Sequence, residues 1–216
     1  MSQWSRLFER FRPAAVRHDQ VGAEPIEIRW MVMGLGNPGE QYRRSRHNLG
    51  FMTLRRLAAR YNCELSRRKF NGSFNQVRTE AGGAILVMPH TFYNRSGDCA
   101  RAMLGYYKVP AERLIVIHDE MDLPHGQIRL KRGGGDAGNR GIRSIAEMLS
   151  TTDFIRVRIG IAHPEKAQCS IDYLLRPLSD EELNSLEPVF ERAGDAVLAV
   201  MRDGLERARS IHNQRI

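Results

Sequence analysis

The sequence predicts an α/β fold: a single domain with a mixed, mostly parallel sheet and helices on both faces. Three short apolar runs carry that expectation: residues 28–35 (IRWMVMGL), 83–88 (GAILVM) and 114–118 (LIVIH). Runs of this length and uniformity suit strands buried on both faces. Stretches of helical periodicity separate them, and strands interleaved with helices make a sheet covered on both sides. With 216 residues, 42% of them hydrophobic, the chain can bury one sizeable core.

Residues 1–27 read as an N-terminal extension of the domain at 28–216. Trp4, Leu7, Phe8 and Phe11 fall at helical spacing, then Pro13 and a polar stretch follow, so the segment is expected to be a short amphipathic helix on a tether. It is Arg-rich like an organellar leader, but Glu9, Asp19 and Glu24 weigh against one, and a bacterial cytoplasmic extension is expected instead. After the first strand, residues 49–60 form a helix with Leu49, Met52, Leu57 and Ala58 available for its core face. A helix over 95–107, a short strand over 127–131 and a helix over 142–149 follow. Residues 154–161 (FIRVRIGI) alternate, with Arg156 and Arg158 facing away from Val157 and Ile159, as in a strand with one polar face. The C-terminal part is helical from Asp180 to about Ala193 and again to about Ile211. There is no internal repeat.

No apolar run approaches the roughly 20 residues a bilayer requires. Cys63, Cys99 and Cys169 are scattered and form no CxxC pair, which indicates neither a disulfide framework nor structural zinc and favours a reducing compartment. A formal charge of +8 calls for an anionic partner, nucleic acid first, because Arg and Lys bind phosphates by releasing their counterions.

In sheets of this kind functional groups collect where strands end at their carboxyl edge. The first such segment is GLGNPGEQYRRSRHNLGF, residues 34–51. Gly34, Gly36 and Gly39 have the spacing of a dinucleotide fingerprint, but Pro38 sits in the turn and no acidic residue occurs between Glu40 and Glu64 to hold a ribose. The segment offers instead an amide at Asn37, an aromatic at Tyr42 and an imidazole at His47. Imidazole is the natural general base near neutral pH, usually oriented by a carboxylate. Asp119, directly after the strand LIVIH, is a candidate partner. His118, Asp119, Glu120 and Asp122 together also suggest a metal cluster, although alternation sets Asp119 opposite His118 and Glu120. In PHTFYNRSG, residues 89–97, Phe92 offers a stacking face and Asn94 an amide at a helix start. In KRGGGDAGNRG, residues 131–141, exposed backbone amides flanked by Lys131, Arg132, Arg140 and Arg143 make a phosphate-binding rim without the GK[ST] of a P-loop.

Taken in order, GLGNPG with Tyr42 and RHN, then PxTFxNxSG, HDExDLPxG, KxGGG, and RIGI followed by DYLL, the chain resembles the bacterial-type peptidyl-tRNA hydrolase family from about Met31 onward. The resemblance implies a metal-independent carboxylic ester hydrolase that uses no cofactor and binds peptidyl-tRNA, acting in translation in the cytoplasm, with monomer as the default state. It implies that His47 is the general base, that Asp119 orients it, and that Asn37 helps distinguish a blocked from a free amino group. Tyr42, Phe92 and Asn94 match positions that hold the tRNA end and the peptide backbone.

Four departures stand out. Asn139-Arg140 replaces the family's His-Asn, so Arg140 puts a cation where an amide contacts substrate; it either clamps a phosphate or crowds the pocket. Tyr93 and Arg95 occupy positions that are apolar in the family pattern, and Ala162 and Glu165 alter the stretch after Ile161. Ser45 and Thr91 lack any motif that supports a nucleophile. The alternative to an active hydrolase is a non-catalytic RNA-binding relative of the same fold.

Overall fold

The computed structural model describes residues 26–163 and 170–213. Its seven strands are β1 (Ile28–Gly34), β2 (Arg67–Lys69), β3 (Gly72–Thr79), β4 (Gly82–Pro89), β5 (Leu114–Glu120), β6 (Ile128–Arg132) and β7 (Ile155–Gly160). They form one sheet in the order β2-β3-β4-β1-β5-β7-β6. The central strands β4, β1, β5 and β7 are parallel; the first three are the apolar runs and β7 is the alternating one. Antiparallel pairing joins β2 to β3, β3 to β4 and β6 to β7. The sheet is mixed as expected, with parallel ladders at its centre and antiparallel ones toward both edges, so parallel pairing accounts for half of the ladders rather than most.

Strand alternation sends side chains to two cores. Ile115 and Ile117 of β5 meet α1 (Leu49–Arg60) and α5 (Asp180–Asp203), whose Leu54, Leu57, Phe190 and Val197 are buried. Leu114 and Val116 meet α2 (Ser96–Tyr107) and α3 (Arg140–Leu149) through Ala100, Met103, Ile142 and Ile145. Each Leu, Ile, Val, Met or Phe side chain fully removed from water contributes about 1.5–3 kcal/mol. The helix over 49–60 has the predicted bounds.

The hairpin β2–β3 was not expected. Arg67, Arg68 and Lys69 are all exposed. In β3, Phe74 and Val77 are an odd number of residues apart and enter different cores, so no one-sided apolar stripe marks the strand. The C-terminal helices also divide elsewhere than near Ala193. Helix α5 runs through Pro188 and Gly194 to Asp203, and the break is Gly204 at φ 83°, a conformation that favours glycine; α6 (Leu205–His212) follows. Ser179 and Glu182 close a capping box at the start of α5.

On the edge strand β6, the Asn213 side chain accepts from Leu130 N–H at 2.7 Å and donates to the Leu130 carbonyl at 3.1 Å. In β7, Arg156 and Arg158 point away from the apolar face as predicted, yet Arg156 is buried. Its guanidinium donates to the carbonyls of Gly133, Gly134 and Gly135, tying down the glycine-rich loop. Cys63 and Cys99 are free and buried. No described helix is long and apolar enough to cross a membrane. The amphipathic helix expected within residues 1–27 and the altered position Glu165 lie outside the described residues.

Candidate active site

The site forms where β1, β4 and β5 end at their carboxyl edge, together with the start of α3. Gly34 at the end of β1 and Gly50 in the first turn of α1 make close approach possible: a Cβ on Gly34 would overlap the Gly50 carbonyl, and one on Gly50 the Ile117 carbonyl. That contact draws the turn preceding α1 onto the end of β5. The turn, Arg46–Asn48, carries His47. From behind it is held by Arg46, which is buried, ion-paired with Glu182 and lies 4.5 Å over the Tyr173 ring of α4 (Ser170–Leu175). The Leu178 N–H also donates to the Arg44 carbonyl at 2.8 Å.

His47 and Asp119, 72 positions apart in sequence, are in contact: His47 Nδ1 lies 3.0 Å from both carboxylate oxygens. Asp119 is 3% exposed, so its charge depends on donors rather than on water. Burial works to raise its pKa, but the His47 imidazole, with help from His118 and from a Tyr93 hydrogen bond, holds the carboxyl below its usual value. With Nδ1 on the carboxylate, Nε2 of His47 is the ring nitrogen without a partner among the described residues, and it is therefore the one able to accept a proton.

Asn37 is half-buried beside this pair. Its Oδ1 accepts from the Tyr93 N–H at 2.9 Å, and its Nδ2 is a donor with no partner among the described residues. Its backbone is held by Asn48, which accepts from Asn37 N–H at 2.8 Å and donates to Asn37 O at 3.0 Å.

Tyr93 sits in a short turn between β4 and α2. Its ring stacks on His47 with centroids 3.5 Å apart and planes 11° from parallel, and its hydroxyl donates to Asp119 Oδ1 at 2.8 Å. Asn139 donates through Nδ2 to the Tyr93 hydroxyl at 3.0 Å, while its Oδ1 caps α3 by accepting from the Gly141 and Ile142 N–H groups. Gly141 has no Cβ to strike the Tyr93 ring, so α3 can begin against it.

Of the residues singled out in the sequence, His47, Asp119 and Asn37 thus come together. Phe92 is 63% exposed and Asn94 exposed, flanking buried Tyr93 on the rim. Tyr42 is half-buried in the turn Glu40–Tyr42. Arg140 is exposed at the first position of α3 and makes no ion pair among the described residues.

The metal-cluster alternative for the segment after β5 is not supported by the placement of its members. Strand β5 persists to Glu120, so alternation separates Asp119 from His118 and Glu120. Glu120 pairs with Arg158 at 2.9 Å and Asp122 with His163 at 2.9 Å. Among the described residues no three His, Cys, Asp or Glu side chains group as metal ligands would.

Sequence reasoning missed Asn48, Tyr93 and Asn139 as members of the site. Asn48 had a signal, its place directly after His47 at a strand-end turn; the other two depend on contacts between segments remote in sequence.

The sequence profile of the family described as peptidyl-tRNA hydrolase matches residues 31–216. The peptidyl-tRNA hydrolase of Frankia casuarinae is 42% identical over 181 residues, covering 84% of this chain and 92% of that protein. That of Thermus thermophilus is 44% identical over 176 residues, covering 82% and 91%. The crystal structure of peptidyl-tRNA hydrolase from Acinetobacter baumannii superposes with a TM-score of 0.80 at 31% identity, covering 88% of this chain and 97% of that one. Agreement in sequence and architecture along most of its length places this chain in the peptidyl-tRNA hydrolase family.

Proposed function

We propose that this protein hydrolyses the ester joining a peptide, or an N-blocked amino acid, to the 3′ end of tRNA, and so returns tRNA from prematurely released peptidyl-tRNA to translation in the cytoplasm. The observation that carries the mechanism is the His47–Asp119 contact, which gives Nδ1 a fixed acceptor and leaves Nε2 basic. Nε2 removes a proton from water, and the resulting hydroxide attacks the ester carbonyl. The C–O bond to the terminal ribose then breaks, and the imidazolium returns its proton to the departing oxygen. Asp119 stabilises the imidazolium in between. Backbone and side-chain amides near the attacked carbon stabilise the oxyanion.

Asn37 Nδ2 is a donor suited to the carbonyl that a blocked amino group carries and a free one lacks, which gives a chemical basis for preferring peptidyl- over aminoacyl-tRNA. Exposed Phe92 and Asn94 supply a stacking face and an amide to the unpaired 3′ nucleotides, and half-buried Tyr42 supplies a second aromatic face. Arg140, exposed and without an ion pair among the described residues, meets a phosphate in place of the amide found elsewhere in the family. Among the described residues no set in the site calls for a metal, and monomer is the default state.

The test is release of N-blocked amino acids from tRNA by the parent and by His47→Ala, each with and without EDTA. Turnover by the parent that the substitution abolishes supports the mechanism. A parent that binds tRNA without turnover would make this an RNA-binding relative, and activity lost only to the chelator would restore metal chemistry.

A further inference from the structure

The hydroxyl of Tyr93 stands where the family pattern has an apolar side chain, and it reaches the carboxylate of the dyad. We infer that Tyr93 is a positioning residue for the reaction, fixing Asp119 through its hydroxyl and the plane of His47 through its ring. The assignment deepens the function proposed above and rests on it.

The geometry ties three segments into one chain of contacts. Asn139, itself immobilised as the cap of α3, donates to the Tyr93 oxygen at 3.0 Å, Tyr93 donates to Asp119 Oδ1 at 2.8 Å, and Asp119 accepts from His47. A backbone bond from Tyr93 N–H to Asn37 Oδ1 anchors the same residue to the third member of the site. Tyr93 is 3% exposed, so water does not compete for its hydroxyl. Burial, then the negative charge of Asp119, pushes the phenol well above its ordinary pKa, so it remains a neutral O–H donor.

Two effects follow. A carboxylate held at one oxygen and an imidazole held over an aromatic face lose the freedom to rotate out of line, which bears on the chemical step rather than on tRNA binding. The donated hydrogen bond also draws charge from Asp119 and tempers its pull on the imidazolium. Among the described residues, the charged and titratable groups that bear on Asp119 besides His47 are His118 and Glu120 on β5 and Tyr93 ahead of α2; Asn139 of α3 is neutral.

The experiment compares parent, His47→Ala, Tyr93→Phe and Tyr93→Leu in steady-state turnover of N-blocked aminoacyl-tRNA across pH, with Tm recorded for each. In Tyr93→Phe, which keeps the ring, kcat falls about tenfold with KM within about twofold, and the acid limb of kcat/KM moves to higher pH. Tyr93→Leu loses the stack as well and falls further. Replacing Tyr93 with a ring-fluorinated tyrosine preserves the shape, strengthens the donor and moves the acid limb the other way, which keeps the test open should the Phe variant fold poorly. An active parent with inert His47→Ala, but with parental kcat and a superimposable pH profile in Tyr93→Phe and the fluorinated protein, would overturn the assignment whatever happens to Tm. A parent without turnover removes both this assignment and the function on which it rests.

Discussion

Asn48 grips one residue twice: its amide accepts from the Asn37 N–H and donates to the Asn37 carbonyl, at 2.8 and 3.0 Å. Because Asn48 is 2% exposed, Asn48→Ala strands two backbone groups that water reaches poorly. The expected cost is about 1–3 kcal/mol, read as a lower midpoint in urea. The β1 turn also loosens beneath Asn37, so kcat/KM falls by more than the folded fraction does. Unchanged turnover in a destabilised protein would show that Asn37 holds its place without this clasp.

Asp119→Asn keeps the size of the side chain but removes its charge and can present a donor to His47 Nδ1. The ring is then free to take the wrong tautomer. A loss in kcat of about a hundredfold or more is expected, with circular dichroism unchanged. Activity within a few-fold of parental would mean that the imidazole does not rely on this carboxylate.

How far the sequence disclosed this site can be seen residue by residue. His47 and Asp119 were legible because each comes after an apolar run, and strand ends collect function in α/β sheets. Tyr93 was not, since a tyrosine between Phe92 and Asn94 gives no sign that its hydroxyl lies 2.8 Å from a carboxylate 26 positions away. Asn139 stood out only as a departure from a pattern, while its contribution is geometric: one end of the amide caps a helix and the other reaches the tyrosine. Strands β1, β4 and β5 were legible from hydrophobicity, because burial on both faces leaves a continuous apolar run, and β7 was legible from its alternation. The hairpin Arg67–Thr79 was invisible to the same reading, since ladder hydrogen bonds hold the edge strand β2 whatever its polarity and β3 divides its apolar side chains between the two cores.

Acid should destabilise the protein in two adjoining ranges. His118 is buried, and burial lowers its pKa from 6.5 to about 4. As pH falls below 6.5 the unfolded chain takes up a proton that the folded one refuses, so stability declines until about pH 4, by roughly 1.4 kcal/mol per pH unit at the steepest. Asp119, despite burial, is held below its ordinary value by His47, so its contribution is present above about pH 4 and is lost as pH falls further. Urea midpoints measured from pH 7 to pH 4 should therefore flatten in His118→Gln. An identical slope in that variant would place the acid sensitivity elsewhere.

Substrate affinity should fall steeply with salt, as phosphate contacts release counterions. Arg140→Asn isolates one such contact. KM for the tRNA substrate is expected to rise several-fold at low salt with kcat within about twofold and Tm unchanged, and the slope of log KM against log salt should shrink by about one. A parental slope would remove Arg140 from the phosphate contacts.

The clasp of Asn213 on Leu130 bears on self-association. Strand β6 closes one side of the sheet, and an uncovered strand there is a template on which a second copy of the chain can add its own. A single side-chain amide, presented by the turn after α6, satisfies one peptide group of that strand as a neighbouring backbone would. Helix α6 thereby covers part of this margin as well as packing on the sheet. A chain cut short before Asn213 would keep its sheet and its dyad, yet would offer a sticky margin in crowded solution.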